Sequence, residues 1–151
     1  MFFPTHLLFG LIVFLFIKDY FSGGNQWLFL LLLLAGSVLP DIDEARSQIN
    51  RSSGAFGWII SFFAKHRGIF HSIFLALGIF IALSYFWINY YAWAFFIGYI
   101  GHLLLDAFTR MGIQVFYPFS SFRLRGPLKS GGILEIILAA GLVFLLAKLF
   151  F

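Results

Sequence analysis

The sequence predicts an all-α integral membrane protein: a bundle of about five transmembrane helices plus a short helix on the cytoplasmic face. The first observation is composition, because the 151 residues are 62% hydrophobic and only 11% charged, with a mean hydropathy of +0.97. A water-soluble domain of this size exposes too much surface to carry so few charges. The second is that long apolar stretches alternate with short polar ones. The length indicates a single domain, residues 1–151.

The first two predicted spans form a helical hairpin. Residues 1–17 contain no Asp, Glu, Lys or Arg, residues 18–25 mark a turn, and a Leu-rich run extends from Trp27 to Pro40. Both are short, since a bilayer core needs about 20 apolar residues. The first stretch has neither a basic beginning nor a cleavage site after it, which favours a retained span over a signal peptide.

The remaining elements follow from the same alternation. The apolar run 56–63, inside the charged stretch 41–68, is too short to span and indicates an interfacial helix. Residues 68–105 carry no charged side chain, which predicts two spans at about 69–87 and 92–110. Residues 111–131 form a loop, in which 115–117 and 122–124 can pair as a short hairpin. A last helix then opens at Gly131–Gly132 and runs to Phe151.

The distribution of basic residues predicts the orientation. With five spans, the side that holds Met1 also holds eight of the ten Lys and Arg residues, whereas Lys18 and Lys148 lie on the other side. Cytoplasmic loops carry the excess of Lys and Arg. We therefore expect a multi-pass protein of the cytoplasmic (inner) membrane with its N-terminus in the cytoplasm.

Most of the residues that could bind a metal fall on that same predicted side. His102 and Asp106 are four residues apart, so they share a helix face inside an apolar span, where ionisable groups are costly and usually functional. The chain has no cysteine, so any site must use imidazole and carboxylate ligands. The predicted ligands of one or two divalent ions, zinc or manganese first, are His6, Asp41, Asp43, His71, His102 and Asp106.

Other interpretations of these residues remain open at this stage. His102 and Asp106 can be a buried hydrogen-bonded pair, Asp41 to Asp43 a solvated turn after Pro40, and His6 a headgroup contact. Three residues are assigned to positions outside the ligand set: His66, Glu135 and Thr109. His66 and His71 are five residues apart and would not share a helix face, so His66 is placed in the loop, around the site or on a second ion. Glu135 can instead pair with Arg125 or Lys129.

Basic residues beside this face are candidates for binding an anion such as phosphate. Arg67, Arg110 and Lys65 lie close in sequence to the predicted ligands, and guanidinium groups bind phosphate oxygens well. The competing interpretation is that they only set the topology. The catalytic hypothesis assigns Arg67 and Arg110 to the charge on a phosphoryl oxygen and Asp43 to accepting a proton.

Several short motifs, taken in order, resemble one known family. They are Thr5-His6, Leu39 to Asp43, His66 to Ser72, Gly98 to Asp106, Thr109 to Gly112 and Tyr117 to Phe119. This set resembles the YdjM-like proteins, described as LexA-binding, inner-membrane-associated proteins expected to be metal-dependent hydrolases. The resemblance covers residues 1 to about 135. It departs from the family at Phe70, where members usually carry Thr. It implies a multi-span inner-membrane protein with a hydrolase-like metal site.

These observations lead to one preferred function and two alternatives. The preferred function is metal-dependent hydrolysis, at the cytoplasmic face, of an amphiphilic ester or phosphoester such as a phospholipid or polyprenyl phosphate. The first alternative is a non-enzymatic regulatory protein, with a structural metal site, that recruits a cytoplasmic protein partner. A transporter is disfavoured because the opposite side lacks matching polar residues. No direct binding of nucleic acid is expected.

Overall fold

The computed structural model describes residues 1–45, 47–63, 68–86 and 89–150, and the regular elements within them are all helical. The α-helices are α1 (Phe3–Ile17), α2 (Gln26–Val38), α3 (Gln48–Ser52), α4 (Gly54–Phe63), α5 (Ile73–Phe86), α6 (Asn89–Ala107) and α7 (Ile133–Phe150). Two short 3-10 segments, Leu39–Asp43 and Ile69–His71, follow α2 and precede α5. The predicted all-α class is confirmed.

Membrane-crossing potential is clearest in one part of the described chain. The helical stretch Gln26–Asp43, which joins α2 to the first 3-10 segment, is long and apolar enough to cross a membrane. Helices α1 and α5 are apolar but shorter. Length and apolar character therefore identify one candidate span, and the five-span arrangement stays a prediction.

Helices α2 and α6 form the central packed pair of the fold. They approach closely because Gly36 and Gly98 lie at the crossing. A Cβ on Gly36 would meet the backbone of Phe95, and one on Gly98 would meet the carbonyl oxygen of Leu33. Small residues allow helix backbones this approach in membrane bundles. The contact also places the C-terminal end of α2 beside the second half of α6.

Helices α5 and α6 have ends that differ from the predicted ones, and local hydrogen bonds explain the start of α5 and the end of α6. Helix α5 begins at Ile73 because the Ser72 hydroxyl accepts a hydrogen bond from the Leu75 N–H (3.3 Å), as an N-cap does. Helix α6 ends at Ala107, where the Thr109 hydroxyl donates to the Asp106 carbonyl (2.7 Å). His71 therefore lies in a 3-10 turn before α5 and not in the first turn of a helix.

A buried asparagine connects α2 to the short helices that follow it. The Asn50 side-chain nitrogen donates to the carbonyl oxygens of Ile42 and Gly57, both at 2.6 Å. This pair of bonds holds the Leu39–Asp43 segment against α3 and α4. Helix α4 occupies the apolar run that was predicted to be interfacial, and it leaves Phe56 and Trp58 65% and 64% exposed.

The predicted hairpin in the loop before α7 is wrong. Residues 115–119 form a turn, and Ile113 and Leu124 form an isolated antiparallel bridge with two hydrogen bonds of 3.0 Å. A second bridge, between Thr109 and Leu128, ties the loop to the end of α6. The backbone pairing therefore joins Ile113 to Leu124, and residues 115–117 do not pair with 122–124.

Candidate metal centre

Four side chains that are distant in sequence converge at one end of the α2–α6 pair. Asp41, His71, His102 and Asp106 each offer a ligand atom, and these atoms all lie within 4.8 Å of one another. Asp41 comes from the segment after α2, His71 from the turn before α5, and the other two from α6. His71, His102 and Asp106 are buried, whereas the Asp41 side chain is 13% exposed.

The close approach of α2 and α6 sets the orientation of the His102 ring. Its Nδ1 lies 2.8 Å from the carbonyl oxygen of Ser37, which can only accept, so Nδ1 carries the hydrogen and donates. The lone pair of Nε2 is then directed at the cluster. Nε2 lies 3.4 Å from His71 Nε2 and 3.6 Å from Asp41 Oδ1. This is the arrangement of a metal-binding histidine that is oriented by a backbone carbonyl.

Asp43 contacts the opposite edge of the His71 ring from the cluster. Its Oδ2 lies 3.4 Å from His71 Nδ1, whereas His71 Nε2 faces Asp41 Oδ1 at 3.8 Å and Asp106 Oδ2 at 3.7 Å. The carboxylate of Asp43 is therefore placed to accept the Nδ1 hydrogen and to point Nε2 inwards. Carboxylate–histidine pairs of this kind support metal ligands in many sites. Asp43 was predicted to be both ligand and base, and it is absent from the four-residue group.

The electrostatics of the His71 turn favour a cation. Burial lowers the pKa of His71, but its contacts with the carboxylates of Asp41 and Asp43 outweigh burial and raise the pKa from 6.5 to about 9. One proton on His71 leaves several acceptors still facing one another across a buried space. Two imidazoles and two carboxylates are also a donor set that suits a divalent ion. The residues present therefore fit a metal site.

His6 lies against this group without being one of its four members. Its ring stacks on that of His102, with centroids 3.9 Å apart and planes 14° apart. His6 Nε2 is 3.5 Å from Asp106 Oδ1, and the amino nitrogen of Met1 is 2.5 Å from the same oxygen. Within the described part of the chain, neither ring nitrogen of the buried His6 has a hydrogen-bond partner.

Glu135 and Thr109, both predicted to surround the site, make structural contacts. Buried Glu135 accepts hydrogen bonds from the backbone N–H groups of Phe2 (2.6 Å) and Gly131 (2.7 Å) and from the Thr5 hydroxyl (3.2 Å). It thereby fastens the start of α7 to the start of α1, and Arg125 and Lys129 are not among these partners. The Thr109 hydroxyl bonds the Asp106 backbone, as described above, and accepts from the Gly112 N–H at 3.2 Å.

The predicted basic residues are only partly described. Arg110 is exposed, and its Nε donates to the Pro127 carbonyl at 3.1 Å. Lys65, His66 and Arg67 lie outside the described residues.

A cavity of about 540 Å³ adjoins the cluster, and Asp41 forms part of its wall. The rest of the wall is mixed: it is apolar at Met1 to Pro4 and Met111, and polar at Glu44, Ser47, Gln48, Arg51 and Ser130. Arg51 is one of the eight basic residues on the Met1 side and had no predicted role beyond topology. Ser37 could not be predicted as part of the site, because a backbone carbonyl that orients a histidine leaves no mark in a sequence. Asp41 is thus the member of the cluster that faces an accessible space.

Comparisons with known proteins identify the family of this chain. The family model described as "YdjM inner membrane protein" matches residues 1–150. The chain is also 32% identical, over 126 residues, to the uncharacterised protein YvsG of Bacillus subtilis (strain 168), which covers 82% of this chain and 78% of YvsG. No solved structure matches. The chain belongs to the YdjM family, whose description confirms membrane association.

Proposed function

We propose that this member of the YdjM family is a membrane-embedded metal-dependent hydrolase that cleaves an ester or phosphoester of an amphiphilic substrate. The observation that carries the proposal is the convergence of one ring nitrogen each from His71 and His102 with carboxylate oxygens of Asp41 and Asp106, all within 4.8 Å of one another. Two ligand atoms of one tetrahedral ion lie about 3.3–3.5 Å apart, because each bond is about 2.0–2.2 Å. Four of the six separations in the group are 3.4 to 3.8 Å and all six are within 4.8 Å, so the side chains would move closer together to bind one ion.

The chain's own residues have distinct roles in this proposal. Asp41, His71, His102 and Asp106 would hold the ion, zinc or manganese first, which acidifies water and polarises the bond to be broken. Asp43 and the Ser37 carbonyl position the two imidazoles. Asp41 also lines the cavity, so the carboxylate oxygen that does not hold the ion is placed to accept the proton of the attacking water and to pass it to the alcohol that leaves as the ester bond breaks. Asp43, the base expected from sequence, is better placed to act through His71.

The cavity supports an amphiphilic substrate, with a phospholipid or a polyprenyl phosphate as the preferred class. Phe2, Phe3 and Met111 supply apolar wall, and Arg51 supplies positive charge for a phosphate. Arg67 and Arg110 remain proposed stabilisers of the phosphoryl group. With that role, Arg110→Ala should lower kcat/KM by an amount that corresponds to a loss of about 2–4 kcal/mol in transition-state stabilisation. The metal content of the protein should not change.

The decisive test combines metal analysis with a substrate screen. Full-length protein purified in detergent is analysed for bound metal and assayed with phospholipids, polyprenyl phosphates and a soluble aryl phosphate. Asp106→Asn should lose both metal and turnover, while Asp19→Asn, which changes an exposed carboxylate in the turn after α1, should retain both. Metal-loaded protein that turns over none of these substrates contradicts the hydrolase proposal.

A structural metal site is the second candidate, and one observation favours it. The four converging side chains are enough to fill a tetrahedral shell, which is typical of structural zinc sites. The protein would then be a regulatory membrane protein that recruits a cytoplasmic partner. Water exchange separates the candidates: Mn²⁺-loaded protein relaxes water protons if a coordination position is open and does not if the shell is closed.

The membrane arrangement proposed for this function has five spans and a cytoplasmic N-terminus. It is supported by the bias of eight of the ten basic residues towards one side in the five-span arrangement. It would place the metal centre at the depth of lipid headgroups on the cytoplasmic face. Reporter fusions at the two ends should give opposite signals. Matching signals would mean an even number of spans and would overturn the arrangement.

A further inference from the structure

We propose that Asp106 bridges two divalent ions, one through each carboxylate oxygen, and that His6 is the imidazole ligand of the second ion. The inference rests on the proposed metal centre and extends it. Towards the four-residue group, Asp106 Oδ2 lies 3.7 Å from His71 Nε2. The other oxygen, Oδ1, lies 3.5 Å from His6 Nε2.

The separation between His6 and Asp106 is that of two ligands on one ion. With metal bonds of about 2.0–2.2 Å, a nitrogen and an oxygen on one tetrahedral ion lie about 3.3–3.5 Å apart. The value of 3.5 Å is too long for a good hydrogen bond and suits this spacing. The two oxygens of one carboxylate then serve two ions, as in centres whose paired ions lie about 3.5–4 Å apart.

The burial of His6 is a second, independent observation. Its side chain is fully buried, yet neither ring nitrogen has a hydrogen-bond partner in the described part of the chain. Buried imidazoles are normally hydrogen-bonded or bound to a metal. The His6 ring stacks on that of His102 at 3.9 Å, and the two Nε2 atoms face different partners: His6 Nε2 faces Asp106 Oδ1, and His102 Nε2 faces His71 Nε2.

The second ion would have only a few protein ligands, so its other coordination positions would be open to exchangeable groups. His6 and Asp106 leave the remaining positions to water or to a phosphate oxygen of the substrate. An ion there would also have to replace the 2.5 Å contact between the Met1 nitrogen and Asp106 Oδ1. Competition with that contact predicts that the second ion binds more weakly than the first.

Metal stoichiometry tests the proposal without any assay of activity. Full-length protein in detergent is loaded with excess Mn²⁺, separated from free metal, and analysed by mass spectrometry of the metal. We expect two ions per chain in the wild type and in Thr5→Ala, which alters a buried neighbour of His6. We expect one ion in His6→Ala and in the more conservative His6→Gln.

Electron paramagnetic resonance gives a second readout from the same samples. A carboxylate-bridged Mn²⁺ pair shows an exchange-coupled spectrum, and the His6 variants should show only the spectrum of an isolated ion. One ion in both the wild type and the His6 variants would overturn the second site. One ion in the wild type and none in the variants would also overturn it, by assigning His6 to the first site. Wild type that binds no metal would refute the proposed metal centre itself.

Discussion

The two ends of the α2–α6 pair are buried by different means. At the distal end, Phe14, Phe29, Leu33, Tyr90 and Tyr91 form a cluster in which Phe29 and Leu33 are fully buried. At the opposite end, His71, His102 and Asp106 are buried just as completely. The first end is buried by the packing of apolar side chains, whereas the second brings together ionisable groups that fit a cation. Substitutions at the two ends should therefore affect different quantities.

The largest effect expected is at the shared carboxylate. Asp106→Asn removes a charged oxygen ligand from the cluster and should abolish tight metal binding, a loss of more than about 100-fold in affinity, since even changes around a metal site cost about 10–100-fold. Isothermal titration of metal-free protein measures this loss. A metal affinity close to that of the wild type in Asp106→Asn would show that Asp106 is not a ligand. The proposed difference between the two ends of the α2–α6 pair would then be wrong.

The distal end should respond in the opposite way. Phe29→Ala leaves a cavity among rings whose centroids lie 4.7 to 6.2 Å from that of Phe29. We expect a loss of about 3–5 kcal/mol in the free energy of unfolding, measured by denaturant titration in detergent. Metal affinity of the folded protein should not change. A large loss of affinity in this variant would mean that the two ends are coupled through α2.

A smaller effect is expected where the carboxylate only orients a ligand. Asp43→Asn keeps the shape of the side chain but removes the charge that faces His71 Nδ1. Metal affinity should fall by about 10–100-fold, and metal should remain bound at saturating concentration. Metal loss as complete as in Asp106→Asn would restore Asp43 to the ligand set that the sequence predicted.

The effect of pH is the smallest per step, about tenfold per pH unit, and its sign follows from His71. Because the pKa of His71 is raised to about 9, the metal-free protein carries a proton there at neutral pH. Metal must displace that proton, so apparent affinity should rise about tenfold per pH unit up to about pH 9 and then level off. In metal-free protein, the stabilisation gained by protonated His71 is complete below about pH 6.5 and is lost as the pH rises through 9. Titrations of affinity and unfolding against pH check both trends.

Much of this molecule could be predicted from local sequence. Apolar stretches with few charges define α1, α2, α5, α6 and α7, because each stretch needs a helix to satisfy its backbone in an apolar surrounding. The ligand types were also predictable: a chain without cysteine has only imidazole and carboxylate donors, and His102 and Asp106 share a helix face by their spacing alone. Helix alternation then predicts that ligands at successive helix ends come together.

Tertiary structure decided how each residue contributes to the centre. Asp41 and Asp43 are two residues apart and look equivalent in the sequence, yet the 3-10 segment Leu39–Asp43 sends them to opposite nitrogens of one imidazole. The Ser37 carbonyl reaches His102 only because the α2–α6 crossing at Gly36 and Gly98 brings the two backbones together. These contacts join groups more than 25 residues apart. Local sequence pattern cannot specify such contacts. The orientation of each imidazole ring depends on which distant group the helix packing brings next to it, and not on its neighbours in the sequence.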